Sequence, residues 1–245
     1  MVQQNNFSWL MKPNWLISLL ATALYFSPLL AKAEDSAEQE RLTNAGQVLK
    51  ELINSPSGIP PSLLNKAECV IVLPSVKKGG FLIGAQYGKG AMSCRSGSEF
   101  AGPWSAPIMM QSSGGSIGFQ AGGQAVDFVV LVMNDKGART VLNGKVKMGA
   151  DASVAAGPVG RDAEASTTGN MSAQMLSYSR SQGVFAGVSL SGTSLGPDDG
   201  ANEKVYGKKI SGEEIFKGAI PPPEAGKQMI GLLESTSPQN VSKGK

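Results

Sequence analysis

YSRSQGVFAGVSLSG, residues Tyr178–Gly192, has to be read together with GADASVAAGPVGRDAEAS, residues Gly149–Ser166. Both runs are built from Gly, Ala and Ser, with a few apolar residues set among them. A backbone of this kind can approach another backbone closely, because no side chain stands between them. Val184, Ala186, Val188 and Leu190 alternate with Phe185, Gly187, Ser189 and Ser191, which predicts a strand over Gly183–Leu190. The expectation is that this strand packs tightly against the Gly149–Ser166 run and makes sheet rather than a catalytic pocket.

Working outward, Met171–Tyr178 pairs with that strand as a hairpin-like unit. Ala125–Met133, AVDFVVLVM, is the most apolar stretch after the N-terminal run and predicts a central strand. Asp127 lies inside it, where a strand-end carboxylate bonding a loop amide is the commoner role and a functional one the rarer. Further upstream, Cys69–Leu73, Phe81–Tyr87 and Ala91–Arg95 read as a meander, followed by strands at Pro107–Gln111 and Ser116–Gly122. Lys145–Ala150 alternates polar and apolar residues and leads into the small-residue run.

Helices are predicted at both ends of this framework. Leu42, Ala45, Leu49 and Leu52 recur at helical spacing over Glu34–Ile53, and the Ser55-Pro56-Ser57-Gly58-Ile59-Pro60-Pro61 run stops them. That stripe fits either the core or a membrane surface, and its acidic polar face favours the core. Asn134 caps a short helix through Leu142 and Asp198-Asp199 caps another near Ala201–Tyr206. Ser211 and Glu214 fit a capping box, and Pro221–Pro223 lead into a helix with Ala225, Met229, Leu232 and Leu233 on one side.

The N-terminus has its own pattern. Met11-Lys12-Pro13-Asn14, an apolar run from Trp15 to Leu30 and Ala31-Lys32-Ala33 form a basic region, a hydrophobic region and a small-x-small site, as in a secretory signal; an uncleaved anchor is the alternative. The expected organisation is a signal over residues 1–33, a single domain over 34–234 and a loose tail over 235–245, in an exported, periplasmic or extracellular protein. Removing Lys12 and Lys32 leaves 20 of the 22 basic residues against 19 acidic ones. A balance this even argues against nucleic acid as a partner, since that function wants a basic domain. All 31 Gly lie after residue 33, about twice the usual share, and favour a turn-rich β framework.

Chemistry is sparse. The chain has no histidine, which removes Ser-His and Cys-His catalysis and His-based zinc sites. Its two cysteines, Cys69 and Cys94, fall in neighbouring predicted strands, so a disulfide competes with two buried thiols. Asp162 and Glu164 fit a solvated edge or partners for Arg161 or Arg180. The Gly114–Gly118 and Gly157–Gly160 runs lack the Gly-Lys-Ser/Thr ending of a phosphate loop. No metal or cofactor is implied. Lys77, Lys78, Lys89 and Arg95 cluster in the meander's turns and ends, and Lys204, Lys208 and Lys209 beside the late helices; either cluster could dock weakly on anionic phospholipid.

An ordered set of motifs spans roughly 150 residues: Ile59-Pro60, Leu63-Leu64, Lys66-Ala67, Val70–Lys78 with Gly79-Gly80-Phe81, Trp104-Ser105-Ala106-Pro107, Gly118-Phe119-Gln120, Asp127-Phe128-Val129, Ala155–Arg161, Ala163-Glu164-Ala165, Tyr178–Ser181, Phe185–Leu190 and Tyr206-Gly207. Together they resemble the SYLF domain, a lipid-binding module whose yeast members were first described as actin-binding. The resemblance implies a non-enzymatic domain that binds phospholipid through its N-terminal part and basic residues. Those would be the helix before Ile59 with Lys66, Lys77 and Lys78, and, from the clustering, Lys89 and Arg95. In an exported bacterial member, anionic phospholipid would replace phosphoinositides, and actin would be an unlikely partner. An envelope structural or protein-interaction module of the same fold is the alternative, and a hydrolase the least favoured. The architecture expected is α+β: a strongly curved antiparallel sheet, open or closed as a barrel, with helices from both chain ends.

Overall fold

The computed structural model describes Met1 and residues 27–81, 83–117, 122–160, 172–181 and 183–242. These fall into two units, Met1–Ala37 and Glu38–Lys245. In the first, the described chain is Met1 and the opening turns of helix α1 (Ser27–Asn54). Most of the expected signal therefore lies outside the described residues. No described helix is long and apolar enough to cross a membrane.

The second unit holds the sheet. Its strands are β1 (Cys69–Phe81), β2 (Ile83–Cys94), β3 (Ile108–Ile117), β4 (Gly122–Val132), β5 (Val146–Lys147), β6 (Val154–Ala156), β7 (Met175–Ser181), β8 (Val184–Gly187) and β9 (Thr193–Pro197). They join in the order β5-β9-β3-β2-β1-β4-β7-β6, with β8 also on β7, as a mixed sheet strongly curled into a half-barrel. The expected α+β class and curved sheet hold, and β4 is central. One pairing departs from the antiparallel expectation: β6 runs parallel to β7 through Val154↔Met175, Ala155↔Leu176 and Ala156↔Ser177. The outer edge of β7 is divided, its first half taking β6 and its second taking β8.

Both faces of one half of this sheet are covered, so its strands read as continuous apolar runs rather than alternating ones. Cys69, Ile71, Leu73, Met92, Ile108, Met110, Phe128 and Val130 share one core with Val141 of helix α3 (Asp135–Leu142) and Ile215 of helix α5 (Gly212–Lys217). Val70, Val72, Ala91, Met109, Val129 and Leu131 face a second core. There they meet Leu42, Leu49 and Leu52 of α1, Leu63 and Leu64 of helix α2 (Pro61–Leu64), and Met229 and Leu233 of helix α6 (Lys227–Thr236). The α1 stripe thus packs on the sheet, through residues at the predicted spacing.

The caps form as the sequence implies. Asn134 Oδ1 accepts the Gly137 N–H at 2.9 Å, and Asp198 Oδ1 accepts from Ala201 at the start of helix α4 (Asp199–Tyr206). Ser211 and Glu214 make a reciprocal capping box on α5. A 3-10 turn at Glu224–Gly226 leads into α6. The two small-residue runs do meet: a Cβ on Gly187 would stand 2.0 Å from Gly157 O, and one on Gly157 would stand 2.1 Å from Tyr178 Cζ. The strand there is shorter than expected, stopping at Gly187.

The chain's end differs from expectation. Residues 237–242 are tied down rather than loose. Val241 N–H donates to Asn65 O, Asn240 Nδ2 to Glu68 Oε2 at 2.7 Å and to Phe100 O, and Ser242 Oγ to Glu68 Oε1.

Candidate functional site

A bulge divides β1. The register shifts between Leu73 and Val76 on the β4 side and between Val72 and Lys77 on the β2 side. Ser75 takes φ 49 there, and its N–H donates to Asp127 Oδ1 at 2.8 Å. Before the bulge both faces are packed. Beyond it the four long strands run on, and Lys77, Gly79, Ala85, Tyr87, Ser113, Gly115, Gln124 and Ala125 are exposed. A Cβ on Gly79 would meet nothing within 4 Å, so no described element covers that row.

The predicted cations separate across this division. Lys77 is exposed and Lys78 half-buried, both on the open half. Lys78 Nζ lies 4.6 Å from the Phe128 ring centroid, and burial pulls its pKa below the ordinary lysine value. Lys66 is half-buried at the other end, before β1 begins, beside a cavity of about 260 Å³ that Met133, Leu176 and Val241 also line. Lys66 thus precedes β1 at the packed end, whereas Lys77 lies eight residues into the strand, beyond the bulge. Lys89 donates from Nζ to Asp198 Oδ2 at 2.7 Å and ties β2 to the α4 cap.

Arg95 stands apart from any surface patch, because it is fully buried. Its guanidinium lies 4.4 Å over the Trp104 ring and donates to Ala67 O, Ser237 O, Ser237 Oγ and Gln239 O. Burial lowers its pKa and Glu68 partly offsets that. The antiparallel register explains the difference. Cys94 is opposite Cys69, so Arg95 is carried back beside Glu68 at the packed end. Cys69 and Cys94 form a disulfide, S–S 2.08 Å.

Asp127, singled out by its apolar setting, is a structural joint. Besides Ser75, it accepts from Arg180 Nε at 2.7 Å, and Arg180 pairs in turn with Glu51 of α1. Asp162 and Glu164, which the sequence offers as a solvated edge or as partners for Arg161 or Arg180, lie with Arg161 outside the described residues. Glu51 and the Arg95–Ser237 tie were not foreseen, since each partner is remote in sequence.

Chemically this end of the molecule offers cations, an aromatic and bare backbone. Among the described residues no group of three or more His, Cys, Asp or Glu could hold a metal. Two larger cavities lie elsewhere, one of about 470 Å³ beside Ile53–Pro61 and one of about 520 Å³ between Ser96–Ala106 and Phe216–Pro221. Neither brings titratable side chains together.

Residues 113–236 match the family described as Ysc84, Las17-binding protein actin regulator. An SH3 domain-containing protein of Schizosaccharomyces pombe is 32% identical over 82% of this chain and 48% of its own length. Protein YSC84 of Saccharomyces cerevisiae is 35% identical over 72% of this chain and 38% of its own length. The SH3 domain-containing YSC84-like protein 1 of Xenopus laevis is 35% identical over 78% of this chain and 58% of its own length. The chain spans between 38% and 58% of the length of these relatives. No solved structure matches. Match and motif order agree, and the chain belongs to the Ysc84 (SYLF) domain family.

Proposed function

We propose that this protein is a non-enzymatic phospholipid-binding domain that docks on anionic membrane, and that it does so in the cell envelope after export. One observation carries the reading: the exposed half of the sheet has lysines and no acid. Residues 76–90 and 111–126 include Lys77, Lys78 and Lys89 and neither Asp nor Glu, in a chain whose overall charge is nearly balanced. Lysines near an anionic surface contribute about 1 kcal/mol each. Lys77 and Lys78 supply most of that attraction, because Lys89 is held by Asp198. The leader-like segment up to Ala33 supports the envelope location.

Vesicle flotation of residues 34–245 tests the reading. Binding to phosphatidylglycerol vesicles at about 10 mM salt, where charges act over about 30 Å, should fall steeply by about 150 mM. Lys77→Ala with Lys78→Ala should weaken it about tenfold or more. No binding at low salt would sink the proposal.

The family's description as a Las17-binding actin regulator favours a second reading, a protein-interaction domain. Co-sedimentation with filamentous actin, insensitive to added vesicles, would support that reading over the first.

A further inference from the structure

Successive residues of a strand point to opposite faces, so Lys77 and Lys78 do not share a surface. Lys77 lies in an exposed row with Tyr87 and Ala125. Lys78 lies on the other face with the buried Val76, and its ammonium reaches the Phe128 ring. On that face the register sets one row across five strands: Gln124 on β4, Lys78 on β1, Gln86 on β2, Gly114 on β3 and Thr193 on β9. Val76 and Val126 form the next row towards the packed half, and both are buried. The five-strand row is polar apart from its glycine, carries one cation and contains no acid.

The two ends of this row differ. Gln86 Nε2 donates to Thr193 Oγ1, and a Cβ on Gly114 would stand 3.0 Å from Thr193 Cα and 3.4 Å from Gln86 Nε2, so that end is closed. At the other end Gln124 is exposed and Lys78 half-buried, and neither side chain has a hydrogen-bond or ion-pair partner among the described residues. Desolvation alone moves the Lys78 pKa, downward, where a facing carboxylate would hold it up. Asp127 points to the opposite face and is occupied by Ser75 and Arg180. Side chains directly opposite on one face stand about 5 Å apart, so a single oxyanion can touch both donors. Resting on the membrane-binding reading above, we propose that Lys78 and Gln124 seat the phosphodiester of one lipid headgroup, while Lys77 on the other face adds only long-range attraction. A single, partly desolvated cation matches a monoanion, which a phosphodiester is. A phosphate with a second ionisable oxygen approaches two charges at neutral pH, and one of them would stay uncompensated at a half-buried site.

A soluble lipid tests the seat without a membrane. Dihexanoyl phosphatidylglycerol, kept below its micelle concentration, is titrated into the protein while NMR follows the Lys78 side-chain carbons and the Gln124 side-chain amide. Both sets of signals should shift and saturate together. Lys78→Met should raise the midpoint at least tenfold and Gln124→Ala about threefold, whereas Lys77→Met should leave it within twofold. Lys78→Met keeps bulk over Phe128, and thermal unfolding checks that it is folded; if it is not, Gln124→Ala, at an exposed position, carries the test. Inorganic phosphate at about pH 7.5 should need at least tenfold more than the lipid to move the same signals. Equal weakening by Lys77→Met and Lys78→Met, an unmoved Gln124 amide, or phosphate that binds as well as the lipid overturns the seat. Flotation with phosphatidylglycerol vesicles separates the two readings. Vesicle binding with a failed titration overturns the seat and leaves docking standing; a titration that saturates on Lys78 without vesicle binding upholds the seat and overturns docking.

Discussion

Asp127 on β4 and Arg180 on β7 are register partners, and their side chains close on each other, Arg180 Nε donating to Asp127 Oδ2 at 2.7 Å. The same carboxylate caps the Ser75 amide in the β1 bulge, and the same guanidinium pairs with Glu51. Three strands and α1 are thereby fixed at the level where the packed half of the sheet gives way to the open half. The joint sets where Lys77 and Lys78 emerge.

Asp127→Ala should consequently destabilise the fold by about 2–3 kcal/mol, below the loss for a fully buried pair because the site is partly open. Asp127→Asn should recover part of that loss, since an amide oxygen can still accept from Ser75. Urea unfolding of both variants, with Arg180→Ala and the double variant, gives the coupling. An Asp127→Ala loss under about 0.5 kcal/mol would mean that the joint is an ordinary surface pair.

The glycines sort by what surrounds them. Gly157→Ala drives a methyl into Tyr178, and Gly187→Ala drives one into the Gly157 carbonyl, at 2.1 and 2.0 Å. Each should cost about 3 kcal/mol or more, or prevent folding, because neither neighbour can give way. Gly79→Ala finds open space and Gly115→Ala only an ordinary contact, 3.9 Å from Gly84 O, so each should change stability by less than about 1 kcal/mol. Thermal unfolding of the four variants checks the contrast.

Much of the fold was legible because pattern and environment agreed. The α1 stripe, the central β4 and the three capped helices α3, α4 and α5 were all visible as spacing or capping chemistry. Thr193–Pro197 was not. Its Gly196 and Pro197 have the composition of a turn. It is a strand because a close fit admits it: Gly114 approaches Thr193 Cα, and Gly196 approaches Lys145 Cα. Short β5 and parallel β6 exist likewise through tertiary contact. The cation cluster was half-legible. Lys77, Lys78, Lys89 and Arg95 are close in sequence, but the hairpin returns Arg95 to the packed end and Asp198, remote in sequence, takes Lys89. Proximity along a strand pair says little about which end a side chain reaches.

Arg95 should behave as the clasp of the chain's end. Arg95→Met keeps bulk over Trp104 but removes the donors to Ser237 and Gln239. Amides of residues 239–242 should then exchange at least tenfold faster, with α6 still protected. Arg95→Lys should restore little, because one ammonium cannot reproduce a planar fork. Unchanged exchange at Val241, whose N–H donates to Asn65 O, would show that the tail holds without the guanidinium.

Tyr178 gives a prediction with two opposite signs. Its hydroxyl is buried and has no hydrogen-bond partner among the described residues, an arrangement that penalises the fold by desolvation. Tyr178→Phe should therefore leave stability at pH 7 unchanged or raise it by up to about 1 kcal/mol. Burial also pushes the phenol pKa well above its ordinary value near 10, and does the same at Tyr206. A raised folded pKa favours the native state below the unfolded value and takes that support away as pH climbs past it. From about pH 10 upward the unfolded chain releases both protons while the folded chain keeps them, so stability should fall by up to about 2.7 kcal/mol per pH unit. Lys78, with its lowered pKa, opposes this by up to one proton below about pH 10.5. Above about pH 10.5, where Lys78 no longer contributes, Tyr178→Phe should remove one of the two tyrosine protons and halve the alkaline slope. Urea midpoints between pH 9 and 11.5 would show it; equal slopes in parent and variant would mean that Tyr178 reaches solvent in the folded state.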